Sequence, residues 1–169
     1  MQNEKVFLVH SPEELAIPVR DLLDHVQKPL ADKGVIIFMN GPLGAGKTAF
    51  VQELAYQVGI EDRVQSPTFT LMKRYQVDSE TIPELYTLIH IDAYRLEPHH
   101  REALRIEAFL KDPGTLVCVE WPSSANLDIR NAFACVDFEY MPEHMMQADI
   151  DEELQSNIEN MRRVHIRYT

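Results

Sequence analysis

An α/β fold, helices packed on a sheet, is what this sequence predicts, and two stretches predict it. The first is the apolar run Val35-Ile36-Ile37-Phe38-Met39, followed by Gly41-Pro42-Leu43-Gly44-Ala45-Gly46-Lys47-Thr48 and a segment of helical spacing. Strand, glycine loop, Lys-Thr and helix in that order are the full context of a phosphate loop, not merely a string of letters. The second is Thr115-Leu116-Val117-Cys118-Val119, continuous and apolar as a central strand buried on both faces must be, ending in Glu120.

Length and composition set bounds on the reading. At 169 residues the chain is expected to form one domain, 1–169, burying roughly 70% of its unfolded surface. Its longest apolar runs, about five residues, fall far short of the ~20 needed to span a bilayer. Met1-Gln2-Asn3-Glu4-Lys5 has no cationic stretch leading into an apolar one, so no secretory signal is read and a cytoplasmic protein is expected. Cys118 and Cys135 sit in strand-like apolar segments without metal-ligand spacing, which predicts buried, reduced thiols. A net charge of −11 excludes a broad nucleic-acid surface, because binding phosphate backbones needs a cationic patch. A nucleoside triphosphate remains acceptable, since the field of the loop is locally positive.

Each element follows in order. Lys5 to His10 reads as a short strand. Ser11-Pro12-Glu13-Glu14 is a helix start, with Ser11 as cap and Glu14 completing a capping box. Leu15, Val19, Leu22, Leu23, Val26 and Leu30 form one apolar stripe, interrupted by Pro18, where a kink or restart is expected, and Gly34 ends the helix. After the loop, Phe50, Val51, Leu54, Ala55 and Val58 mark a buried face closed by Gly59. Phe69 to Tyr75 and Leu85 to Ile91 suggest an antiparallel pair of strands about a turn at Asp78-Ser79-Glu80-Thr81. A helix is expected over His99 to Leu110 with Ala103, Leu104, Ala108 and Phe109 inward, stopped by Asp112-Pro113-Gly114. Ala132 to Tyr140 reads as a half-exposed strand and Arg163 to Tyr168 as another. The Met-rich, acidic stretch at about 141–160 reads as a partly helical insertion.

The chemistry concentrates in a few side chains. Glycines let the loop curl with its N–H groups inward, and the following helix adds roughly half a positive charge. The residues expected to cradle a nucleotide are therefore Gly41, Leu43, Gly44, Ala45, Gly46, Lys47, Thr48 and Ala49. Lys47 would reach the terminal phosphates, and the Thr48 hydroxyl would hold magnesium. Glu120, an acid ending an apolar strand, is costly to desolvate unless compensated. Downstream of a phosphate loop it reads as a Walker B acid on the metal or its water. Paired with an arginine or merely wetted, it would be structural.

Asp92, a second strand-end acid, reads as a further metal-shell group, as the residue orienting the attacking water, or as an Asx turn. Arg95 would neutralise Asp92 or a phosphate, or make a structural ion pair. Ser66, Thr68 and Thr70 lie where a switch segment would reach the last phosphate, and an ordinary turn fixed by Pro67 is the plainer account. Trp121 stacks on a base or partner, or simply packs. The pair His99-His100 reads as surface.

These residues together resemble the bacterial TsaE (YjeE) family, the small ATPase of tRNA threonylcarbamoyladenosine synthesis. Four motifs carry the match: Gly41 to Thr48, Ser66-Pro67-Thr68-Phe69-Thr70-Leu71, His90-Ile91-Asp92-Ala93-Tyr94-Arg95-Leu96 and Val119-Glu120-Trp121-Pro122. They span about 35–122; the loop alone is generic, whereas the second and third motifs at this spacing are specific. The resemblance implies a P-loop NTPase-like mixed sheet, parallel plus antiparallel, flanked by helices. It implies slow hydrolysis of Mg-ATP to ADP in support of a partner pair, TsaB and TsaD, which transfers a threonylcarbamoyl group to the tRNA adenosine beside the anticodon. Lys47, Asp92 and Glu120 would then be catalytic, with Thr48, Glu120 and Asp92 on the Mg2+ ion. No membrane is implied, and tRNA enters only through the complex. Pro42 stands where the family often has Asp and Ala93 where Leu is usual, while Arg105 falls near an expected Gly.

A small-molecule kinase is the competing reading, with Arg101 and Arg105 as lid arginines or simply a solvated helix face. A GTP-binding switch is a third, against which stands the lack of an Asn-Lys-x-Asp motif in the chain.

Overall fold

A computed structural model describes residues 4–96, 104, 106–141 and 161–169. Its strands are β1 (Glu4–Val9), β2 (Val35–Asn40), β3 (Met72–Gln76), β4 (Thr87–Asp92), β5 (Thr115–Glu120), β6 (Ala134–Tyr140) and β7 (Arg162–Tyr168). Its helices are α1 (Ala16–Asp32), α2 (Lys47–Gln57) and the short α3 (Ile106–Phe109). The strands form one sheet in the order β1-β7-β6-β2-β5-β4-β3. Four central strands, β6, β2, β5 and β4, run parallel to one another. Antiparallel pairs close both sides: β3 on β4, β7 on β6 and β1 on β7. The sheet is mixed, parallel plus antiparallel, and the fold is α/β.

The alternation of side chains along the strands creates two cores. Ile37, Met39, Leu116, Cys118, Val136 and Phe138 face α1 and α2, meeting Leu22, Val26, Phe50 and Leu54. Ile36, Phe38, Val117, Val119, Ile89 and Ile91 face the other way, onto Leu104, Ile106, Ala125 and Ala132. The expected stripes of α1 and α2 are both buried. Phe50 is wholly buried and meets the Phe138 ring edge-on at 5.7 Å. Burying such a ring is worth about 2–3 kcal/mol, and here it ties the helix after the loop to β6.

Several local expectations need correcting. Ser11 makes no side-chain cap; the Glu14 carboxylate instead accepts the His10 N–H at 2.8 Å, one residue before the expected cap. A short 3-10 turn, Pro12–Leu15, comes first, and α1 restarts at Ala16. Pro18 then falls in the first turn, where its missing N–H has no intrahelical partner to lose. Pro29 also lies inside α1, within the stretch whose apolar stripe runs to Leu30. Phe69 and Thr70 are not in a strand: the Thr70 and Leu71 N–H groups both donate to the Pro67 carbonyl, and β3 begins only at Met72. Ala108 is exposed, and Ile106 takes the inward place beside Leu104. β6 is more deeply buried than its alternation suggests, because β2 and β7 pair with it on either side. Both cysteines are free and buried, as expected. Ala103, His99-His100, Arg101, Arg105 and most of the insertion at about 141–160 lie outside the described residues.

Candidate functional site

The loop owes its path to two glycines. β2 lies beside β6, and Asn40 at its end donates to Asp137 at 2.8 Å. At Gly41, φ is +137° and a Cβ would stand 2.5 Å from the Phe138 carbonyl oxygen. No larger residue could leave β2 there without pushing the strands apart. Gly46, at φ +109°, turns the chain into α2, whose first residue is Lys47. The N–H groups of that first turn have no intrahelical acceptor, which makes the spot electropositive.

Lys47 is buried and folded back on its own loop. Its ammonium donates to the Gly41 and Pro42 carbonyls, both at 2.8 Å, and lies 3.9 Å from the centroid of the Trp121 ring. Burial lowers its pKa from the ordinary lysine value, while the Glu120 and Asp92 carboxylates pull it up again. Trp121 follows β5 with φ +58°, a left-handed backbone rare outside glycine. Its N–H still donates to the Met39 carbonyl, so the strand's end stays anchored on β2. Tyr94 packs on the same ring at 5.1 Å.

The two acids stand side by side, since Asp92 of β4 and Glu120 of β5 are register partners. Glu120 is buried, and its Oε1 accepts the Thr48 hydroxyl at 2.8 Å and His90 Nε2 at 2.8 Å. Asp92, also buried, accepts the Tyr94 N–H on Oδ1 at 3.0 Å, the Asx turn foreseen as its structural role. Its Oδ2 accepts the Thr68 hydroxyl at 2.8 Å and the Ser66 hydroxyl at 3.2 Å. The 66–71 segment is thereby tied to the sheet's carboxyl edge through one carboxylate oxygen. Arg95 lies over the exposed Phe69 ring at 5.2 Å, not on Asp92.

A cavity of about 500 Å³ joins these groups, lined by Leu43, Gly44, Gly46, Lys47, Thr48, Ala49, Ser66, Thr68, Asp92, Arg95, Glu120 and Trp121. Gly41 and Ala45 do not line it: the first is pressed on Phe138, and the second faces a neighbouring recess. That recess, about 320 Å³, lies across the loop among Val9, Pro12, Leu15, Ala49 and Val164. No group of three or more His, Cys, Asp or Glu side chains among the described residues is arranged to hold a metal. Two carboxylates and a hydroxyl beside a glycine loop could hold magnesium, which takes few protein ligands and keeps waters and phosphate oxygens. Sequence reasoning gave His90 no role of its own. Alternation along β4 would have found it, two residues before Asp92 and on the same face.

Comparison with known proteins bears on this arrangement. A family model, "Threonylcarbamoyl adenosine biosynthesis protein TsaE", matches residues 10–157. The chain is 40% identical over 92 residues to a TsaE protein from Nostoc sp., covering 52% of each chain. It is 35% identical over 115 residues to one from Synechocystis sp., covering 64% of this chain and 69% of that one. A Bacillus subtilis TsaE is 37% identical over 91 residues, or 54% of this chain and 52% of that one. The chain thus spans about half the length of the Nostoc and Bacillus relatives. The crystal structure of Bacillus subtilis YdiB superposes with a TM-score of 0.62 at 20% identity, covering 99% of this chain and 87% of that one, which shows a shared fold.

Proposed function

The chain belongs to the TsaE family of threonylcarbamoyl adenosine biosynthesis proteins, and on that premise we propose that it is a P-loop ATPase. It binds Mg-ATP, hydrolyses it slowly and releases ADP. Hydrolysis supports TsaB and TsaD in transferring a threonylcarbamoyl group to the tRNA adenosine beside the anticodon. The setting is cytoplasmic, and tRNA is met only through that complex, in keeping with a net charge of −11.

One observation carries the reading: the Thr48 hydroxyl and the Glu120 carboxylate meet at 2.8 Å across the mouth of the loop. In a plain strand-loop-helix turn, nothing would bring a strand-end acid to that hydroxyl. Thr48 and Glu120 would hold a magnesium ion, which supplies charge neutralisation on the phosphate oxygens. Lys47 leaves the Gly41 and Pro42 carbonyls for the terminal phosphates. Asp92 orients the attacking water once the Thr68 hydroxyl gives up Oδ2. The adenine goes to the apolar recess beside Ala45 and Val164, whose walls suit a flat ring. The residues that favour a kinase, Arg101 and Arg105, lie outside the described part of the chain, and no observation supports that alternative.

The test is an ATPase assay with and without TsaB and TsaD. Weak hydrolysis alone, stimulation by the pair and loss in Lys47→Ala and Glu120→Ala are expected. Equal turnover with and without the pair overturns the partner role. Unchanged turnover in Glu120→Ala overturns the site.

A further inference from the structure

Among the described residues, His90 is a buried side chain of the site whose polar contact goes to a single acid. It is wholly buried on β4, facing Cys118 on β5 in register. Nε2 reaches past that partner to Glu120 Oε1 at 2.8 Å, while Nδ1 has no hydrogen-bond partner among the described residues. A carboxylate only accepts, so Nε2 carries a proton and donates it to Glu120. An imidazole kept for packing would be a poor choice on a strand face that also carries Leu88, with Leu116 and Cys118 beside it on β5, because the orphaned nitrogen is desolvated with nothing in return. What the ring supplies is the second donor on Glu120 Oε1. Thr48 is the first, and Oε2 has no hydrogen bond among the described residues.

We propose that His90 is a positioning residue for Glu120. Two donors on Oε1, one from β4 and one from α2, stop the carboxylate from rotating and leave Oε2 free for the cation or its water. The inference rests on the Mg-nucleotide reading above and adds a residue to it. Partners that orient a metal-binding group typically change metal affinity ~10–100-fold when removed.

The experiment is a magnesium titration of the binding of a non-hydrolysable ATP analogue, followed by calorimetry. It is run on the wild type, His90→Gln, His90→Asn and His90→Phe, with a parallel binding measurement in EDTA and a thermal midpoint for each. The Gln amide nitrogen falls close to Nε2 and can reach Glu120; the Asn amide falls near Nδ1 and cannot. Expected are a half-saturating magnesium concentration within ~3-fold of wild type for Gln, an increase of ~10-fold or more for Asn and Phe, and unchanged binding in EDTA. An unchanged magnesium requirement in Asn, or a Gln variant as impaired as Asn, overturns the proposal. If Phe fails to fold, the Gln–Asn pair decides alone. A wild type whose binding is indifferent to magnesium overturns the nucleotide reading itself, a different result from any of these.

Discussion

The Lys47 ammonium rests 3.9 Å from the centroid of the Trp121 ring, held there by the Gly41 and Pro42 carbonyls. The loop lysine is therefore parked on an aromatic face in this structure. Trp121 is the only tryptophan in the chain, so its emission reports on whether the lysine is there. Adding Mg-ATP should change that emission, and Lys47→Ala should change the baseline and abolish the response. A cation–π contact of this kind is worth about 0.5–2 kcal/mol. Trp121→Phe should keep nucleotide affinity within ~3-fold while Trp121→Ala changes it more, as calorimetry would read.

The loop glycines should separate in their cost. Gly41→Ala meets backbone: its Cβ would lie 2.5 Å from the Phe138 carbonyl oxygen, so β2 or β6 must shift. Gly46→Ala meets only ordinary van der Waals contact, with the Phe138 ring at 3.9 Å, and bears only the left-handed backbone cost. Urea unfolding should give about 1–2 kcal/mol for Gly46→Ala and clearly more for Gly41→Ala.

Asp92 Oδ2 and the Ser66 and Thr68 hydroxyls form a latch that can be tested as a pair. Thr68→Val and Asp92→Asn should each speed limited proteolysis within 66–71 severalfold. The double variant should be no faster than the quicker single, since both break one contact. Hydrogen bonds to a charged group are worth about 1.5–3 kcal/mol, enough for such an effect.

Alkali should unfold the protein through its buried thiols and phenols. Burial, with the nearby Glu120 charge, pushes the Cys118 thiol from 9.0 up to about 12. Burial also raises Cys135, Tyr75 and Tyr168. Between about pH 9 and pH 12 the unfolded chain gives up the Cys118 proton while the folded chain keeps it. The folded state then holds more protons, so stability falls as pH rises, by about 1 kcal/mol per pH unit for that one group. Lys47, its pKa lowered by burial, works in the opposite direction and offsets part of the loss. Urea midpoints at several pH values above 8 should fall for the wild type and fall less steeply in Cys118→Ala.

What could be read from residues alone was what depends on neighbours in the chain. β2, the loop and α2 form one uninterrupted pattern, and β5 announces itself by being apolar throughout and ending in an acid. The start of β3 was misplaced because Phe69 and Thr70 have strand-like side chains, while the Pro67 carbonyl and a Leu71 φ of +63° fold them into a turn. β6 reads as half-exposed from its alternation because its pairing with β7 crosses more than twenty intervening positions. His90 was missed as an individual because its meaning lies across the strand, in Glu120. Alternation along β4 shows which face the ring takes, but not the acid it meets there.

The close approach of Gly41 to Phe138 bears on synthesis. A nascent chain that has emerged only as far as Glu120 already carries the glycine loop, yet the strand that braces it has still to be translated. Until β6 arrives, β2 has a bare edge beside Asn40 and nothing presses the loop into its final bend. A ribosome stalled before residue 134 should accordingly display a chain that chaperones recognise and nucleotide resin does not retain.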